Sequence, residues 1–295
     1  MGEAVSTSCE RCTIEIAISA MQCPHCGWPG RYPNVIQASL EAEALNKRYE
    51  DALERAHSAG TGSVTQRFEK AIDGSYAVIC VKVNEAHRLV FGETELKATY
   101  YATSDTRFPR AKPPAGADWD AIRELVDGAL FTDPVKRHIR FAALAMTFEG
   151  LTSYGPCTLV CDTSMIEHRS STFETNSCHF FVKRGAIPFK DASVDLPQGF
   201  RSTWPDRSKL CTAKLAAKLA PDTTEAEFAA ILMERGAATA DDEYVEVHIC
   251  GPISLRTLKG VAIDQNAPTA VGHRGILADL RDRLRRHDLF LKENT

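Results

Sequence analysis

No apolar run in this chain approaches the ~20 residues that a membrane-spanning helix needs, and no signal-peptide pattern precedes its first motif. A cytoplasmic protein without membrane contact is expected. The chain also lacks a G-x-G-x-x-G turn and a P-loop, so neither a Rossmann dinucleotide domain nor a nucleotide kinase is supported. It has no internal repeat and no low-complexity tract, which argues against a solenoid. An excess of positive charge is missing too. The balance is −4, so no global basic field attracts nucleic acid, and any such contact must come from a local patch.

Cysteine, by contrast, is present ten times. Four of the ten stand in two CxxC pairs, Cys9 with Cys12 and Cys23 with Cys26, ten residues apart. Each pair makes a tight knuckle whose sulfurs point at one metal, and two knuckles close a tetrahedral shell with no open position. The pattern predicts a structural, non-catalytic zinc held by Cys9, Cys12, Cys23 and Cys26. His25, inside the second knuckle, reads as a solvent-facing loop residue. The other six cysteines, Cys80, Cys157, Cys161, Cys178, Cys211 and Cys250, lie mostly in apolar runs and read as small buried hydrophobes in a reducing compartment.

The organisation expected is α+β: a zinc ribbon over 1–33, an amphipathic helix over 34–62 and an α+β domain over 63–295. Trp28, Pro29 and Gly30 form a turn-rich exit from the ribbon, and Asn34 is placed to cap the following helix. That helix, with Ile36, Leu40, Ala44, Tyr49, Leu53 and Ala56 on one face, is either a spacer or a packing and dimer surface. Tyr76 to Val83 reads as a strand, Leu89 to Tyr101 as helical, and Trp119 to Phe131 as a helix capped by Asp118. Ile139 to Met146 is an apolar segment of open type. Strands are expected over Cys157–Cys161, at Thr172–Phe173, over Cys178–Val182 and over Tyr244–Ile249. Helices are expected over 207–219, from the capping box at Asp222–Glu225 through Arg235, and over 273–291.

Chemistry concentrates in three segments. On the strand at 244–249, Tyr244, Glu246 and His248 share one face while Val245, Val247 and Ile249 share the other. A carboxylate near the end of a rigid strand is a common way to present a catalytic group; a half-buried edge strand with a solvated polar face fits the same pattern. The stretches 167–176 and 200–209 each place Arg and hydroxyl groups suited to phosphate beside an aromatic, Phe173 or Trp204, able to stack on a base or a nicotinamide ring. The last helix gathers Arg274, Arg281, Arg283, Arg285, Arg286 and His287. This is either a phosphate-binding patch or a solvated face opposite Leu280 and Leu284.

The order Tyr154-Gly155 before a strand, then Arg169 to Ser177, then Tyr244 to Leu255 resembles bacterial ADP-ribosyltransferase-type toxins and phage-defence proteins. The last segment is also similar to the closing strand of DarT-type nucleic-acid ADP-ribosyltransferases, and the likeness covers roughly 135–265. The resemblance implies a split β-sheet domain clasping NAD, with Glu246 as the catalytic glutamate. It further implies Ser170, Ser171 and Thr172 as an element supporting the cofactor site, and an arginine on the NAD phosphates drawn from Arg140, Arg169 and Arg201. Trp204 and Tyr244 join that site as aromatics. The implied activity is mono-ADP-ribosylation of a macromolecular acceptor (RNA, DNA or protein) by a toxin or anti-phage effector, with a neutralising antitoxin as a possible partner. Two other classes fit the residues. One is a non-enzymatic zinc-ribbon adaptor for nucleic acid or protein. The other is a hydrolase or nuclease using His168, His179 or His248 with a carboxylate.

Overall fold

The computed structural model describes residues 6–9, 11–17, 20, 22–27, 32–92, 95–104, 119–131, 135–183, 196–236, 241–264, 266–267 and 273–294. The expected ribbon exit at Trp28–Gly30 and the cap at Asp118 lie outside them. The ribbon pairs β1 (Ser6–Ser8) antiparallel with β2 (Glu15–Ala17). Each knuckle ends on a left-handed residue, Thr13 at φ 59° and Gly27 at φ 69°, which turns the chain back. The Thr13 and Gly27 amides then close on the Cys9 and Cys23 carbonyls at 2.8 and 2.9 Å.

Eight further strands form one mixed sheet: β3 (Tyr76–Val81), β4 (Ile139–Ala145), β5 (Cys157–Cys161), β6 (Ser170–Phe173), β7 (Arg201–Thr203), β8 (Glu246–Cys250), β9 (Leu258–Asp264) and β10 (Phe290–Asn294). Their order is β10-β9-β5-β3-β4-β8-β6-β7, and among the described residues only β10 and β9 are parallel. The open segment at 139–146 is therefore a strand. So is β8, but it lies between β4 and β6 rather than at an edge, and its polar face is as buried as its apolar one.

One face of the sheet carries the main core. Ile79, Leu144, Leu159, Val247 and Ile249 pack there against α3 (Gly62–Asp73), α4 (Val83–Phe91), α9 (Arg207–Leu215) and a C-terminal helix (Arg274–Arg286). The opposite face is covered in two separate patches. Near β6 and β8, Ile139, Phe173 and Cys250 pack under α6 (Trp119–Leu130) and α8 (Ser177–Lys183). Near β3 and β5, Val78, Ala143 and Val160 pack with Leu151 and Tyr244. The gap between the patches holds a cavity of about 480 Å³.

The single helix expected over 34–62 is two: α1 (Pro33–Leu40) and α2 (Ala42–Ser58). They break at Glu41, whose buried carboxylate turns inward to accept the backbone N–H groups of Gly199, Phe200 and Arg201 and the Arg201 guanidinium. These helices are no spacer. α1 packs on β6 and β7, and α2 packs on α9. Asn34 does not cap; it lies inside α1, with its side chain buried against the sheet.

The helix expected from Leu89 instead starts at Val83 and stops at Phe91; between are α5 (Tyr100–Ser104) and an irregular 95–99. The strand expected over 178–182 is α8. Asn176 caps it, its Oδ1 accepting from the His179 N–H at 3.0 Å, and Phe180 and Phe181 turn their rings onto Phe173. The capping box at 222–225 sits two residues later, at Thr224 and Glu227, and leads into the short α10 (Phe228–Leu232). The 207–219 helix is regular only to Leu215. The last helix, α11 (Arg274–Arg286), gives way to β10. α7 (Thr163–Ile166) is a single turn before β6.

Candidate active site and metal centre

The cavity floor is strand. Val78 and Cys80 of β3, Phe141 and Ala143 of β4 and Glu246 of β8 line it, with Glu246 and Ala143 directly opposite in the ladder. Glu246 is 1% exposed. Its Oε2 accepts from the backbone N–H of Ser177, at the start of α8, at 3.0 Å and lies 2.9 Å from His248 Nε2. Burial pushes the Glu246 carboxyl up, but the His248 imidazole, the Arg123 guanidinium and the Ser177 N–H together outweigh it. The carboxyl ends below its ordinary range and is ionised at neutral pH. Both hydrogen bonds that the described residues give Glu246 fall on Oε2, which leaves Oε1 without a donor among them at the cavity floor.

Arg123 comes from α6. Its guanidinium lies 4.3 Å from the Phe141 ring centroid and donates to Asp127 Oδ1 and Ser177 Oγ at 3.3 and 3.1 Å. Asp127, wholly buried, also accepts from the Tyr101 hydroxyl at 3.0 Å. Burial is the largest influence on Asp127 and holds its carboxyl above the usual range despite Arg123. Asn176 donates to the Tyr244 hydroxyl at 2.7 Å, fixing both side chains in the cavity wall.

Tyr154 stands at the cavity wall on a short turn whose shape requires a glycine. Gly155 has φ +151°, and a Cβ there would sit 2.3 Å from the Val81 backbone. Lys97 and Arg140 add positive charge to the lining. Lys97 pairs with Glu85 at 2.7 Å. Arg140 donates to the carbonyls of Lys97, His138 and Gly251 and, among the described residues, meets no carboxylate. Burial and nearby Arg169 lower its affinity for a proton.

The structure thus brings Glu246, Tyr244 and Arg140 into one cavity, and the other NAD-site residues do not line it. Arg169 is buried and donates to the Met165, Cys250 and Pro252 carbonyls, tying β6 to the end of β8. Ser170 donates to the Ile166 carbonyl, Ser171 accepts from Asn34, and Thr172 bonds Ser202. Arg201 is paired with Glu41, and Trp204 is a core residue under the Arg207 guanidinium. Sequence reasoning missed Arg123, Lys97 and the role of Asn176. An Asn directly before an apolar stretch is an N-cap signal, and Arg123 with Asp127 is an i,i+4 pair on the α6 repeat; both were available. His168 and His179 do not line this cavity; His168 rests against Tyr32.

The second site is the ribbon. The sulfurs of Cys9, Cys12, Cys23 and Cys26 lie within 4.8 Å of one another, with Cys9–Cys26 and Cys12–Cys23 at 3.6 Å. Zinc–thiolate bonds of ~2.3 Å in a tetrahedron imply sulfurs roughly 3.8 Å apart, so this set fits a metal without rearrangement. The backbone N–H groups of Cys26 and His25 pull the Cys23 thiol down to about 6. Cys12 accepts from Ile14, yet burial and the three neighbouring thiols push it up to about 12. Four thiols this close cannot all ionise unless a cation joins them. His25 is exposed, as expected. Among the described residues no helix is long and apolar enough to cross a membrane.

No family model matches the chain, and no curated protein matches its sequence.

Proposed function

We propose that the cavity binds NAD as substrate and that the protein is a mono-ADP-ribosyltransferase whose reacting carboxylate is Glu246. One observation carries this reading: an ionised, buried glutamate forms the floor of a cavity that also holds uncompensated positive charge. At about 480 Å³ the cavity falls within the ~300–1,000 Å³ usual for small-molecule sites.

In this reading the nicotinamide riboside end lies over Glu246, and Arg140 and Lys97 meet the diphosphate. Glu246 Oε1 accepts a ribose hydroxyl and stabilises the positive charge that develops at C1′ as the bond to nicotinamide breaks. Nicotinamide leaves with the electron pair. The acceptor atom then bonds C1′, and its proton passes to Glu246 and on to water. Tyr100 and Phe141 flank the Arg123 guanidinium and line the same cavity as Glu246.

The zinc ribbon belongs to this proposal as a module that presents the enzyme to its acceptor, a nucleic acid or a protein. So does an effector role as a toxin or anti-phage protein with a neutralising partner. The alternative of a non-enzymatic adaptor rests on the four-cysteine cluster. The two readings separate on one experiment: incubation of zinc-loaded protein with adenine-labelled NAD and separate RNA, DNA and protein pools. The transferase reading expects label in one pool. Folded protein that labels none, yet binds one of them after Glu246→Gln, leaves the adaptor.

A further inference from the structure

The imidazole of His248 is wholly buried, and its surroundings leave it one hydrogen-bonding direction. Phe131 and Phe141 meet it edge-on at centroid distances of 5.0 and 5.4 Å, and Phe173 lies nearly parallel at 6.0 Å. Among the described residues its Nδ1 has no partner. Its Nε2 is 2.9 Å from Glu246 Oε2, which accepts while the carboxyl is ionised. Opposite an ionised carboxylate Nε2 acts as the donor, and an N–H on Nδ1 would be buried against the rings without an acceptor. The backbone of the same residue is fixed as well, its carbonyl accepting from Asn34 Nδ2 at 3.0 Å. A polar ring in an aromatic box is costly unless its one hydrogen bond matters.

We infer that His248 is a positioning residue: a donor held in one orientation by its aromatic box, which pins Oε2 of Glu246 so that Oε1 is presented to the cavity. This rests on the transferase reading only for its kinetic consequence; the carboxylate's state is a property of the protein alone. The other groups facing Glu246 are Arg123 and Asp127 of α6, Cys178 and His179 of α8, and Tyr154 and Tyr244 in the wall. The second donor to Oε2 is the Ser177 backbone.

The test compares His248→Phe, which fills the box without a donor, with His248→Gln, which restores an N–H at similar reach. The Glu246 carboxyl is titrated by carbon NMR in protein without NAD. The expected result is a higher midpoint for H248F than for wild type, with H248Q close to wild type. Equal midpoints in all three overturn the inference. Should H248F not fold, His248→Asn replaces it, because the shorter amide falls short of Oε2, and the same comparison with H248Q decides. Nicotinamide release then adds the functional arm: kcat lower by about tenfold or more without the donor, KM little changed, and partial recovery in H248Q. A raised midpoint with no NAD turnover by wild type would retain His248 as the positioning residue and remove the transferase reading instead.

Discussion

Asn34 Nδ2 donates to the carbonyl oxygen of His248 across 3.0 Å, joining the first helix after the ribbon to the strand that carries Glu246. The same nitrogen also reaches the Arg169 carbonyl and Ser171 Oγ, both at 3.2 Å. Removing this donor leaves buried acceptors unpaired, and the cost falls on those acceptors. Asn34→Ala should lower stability by about 2–3 kcal/mol in urea unfolding at neutral pH. A loss under about 0.5 kcal/mol, the range of a surface substitution, would show that α1 is an appendage.

Arg140 and Arg201 should behave oppositely. Arg201 neutralises Glu41, which would keep three backbone donors after its loss, so Arg201→Ala should cost about 3 kcal/mol, the low end for a broken buried pair. The KM for NAD of its folded fraction should not change. Arg140→Ala should raise that KM by about tenfold, the worth of one charge-assisted phosphate contact. Steady-state kinetics beside denaturant curves for both variants checks this; a KM effect from Arg201 alone would reverse the assignment.

These two arginines also show how far the sequence could be read. Both sit beside hydroxyls or aromatics in the chain, and nothing local separates a guanidinium that meets a ligand from one consumed by Glu41, 160 residues away. The cysteine knuckles were legible because their chemistry is local: the spacing is itself the geometry. Glu246 was legible because alternation on a strand puts it on one face with His248. Its burial was not, because that depends on β4 and β6 pairing either side of β8. The strand expected at 178–182 failed for a related reason. Its apolar run suits either period, and the Asn176 cap decided for the helix.

Zinc should bind one per chain and leave as acid returns protons to the thiols. Cys23 is pulled down to about 6 and Cys12 pushed up to about 12, so metal affinity should fall as pH drops through that range, and most steeply below about 6. Chelation or Cys23→Ser should disorder β1 and β2 while the eight-stranded sheet, which has its own cores, unfolds at an unchanged midpoint. Circular dichroism with a chromophoric zinc indicator follows both. Collapse of the whole chain on chelation would contradict this division.

Gly155→Ala should be among the most damaging single-methyl changes. The added Cβ would fall 2.3 Å from both the carbonyl carbon and the oxygen of Val81, in a left-handed conformation that disfavours any side chain. A loss of about 2–3 kcal/mol in thermal or urea unfolding is expected. A weaker grip on NAD should accompany it, since Tyr154 is carried on the same turn. Unaltered stability would mean that the turn re-forms freely.

The acid side of stability has a defined sign. The Glu246 carboxyl is held below its ordinary 4.5, so its contribution is present above that value and is lost as pH falls through the lower folded one. The stability difference between wild type and Glu246→Gln should therefore be constant from pH 7 to about 5 and shrink below. A difference that already shrinks between pH 7 and 5 would place the carboxyl above its ordinary range.

Nicotinamide release from NAD by zinc-loaded wild type and Glu246→Gln, with cell RNA, DNA and lysate supplied in turn, tests the central claim most directly. The account predicts release by wild type with at least one acceptor pool, and a loss of about a hundredfold or more in the variant. Equal release by both proteins, or none from folded wild type in any mixture, would contradict it.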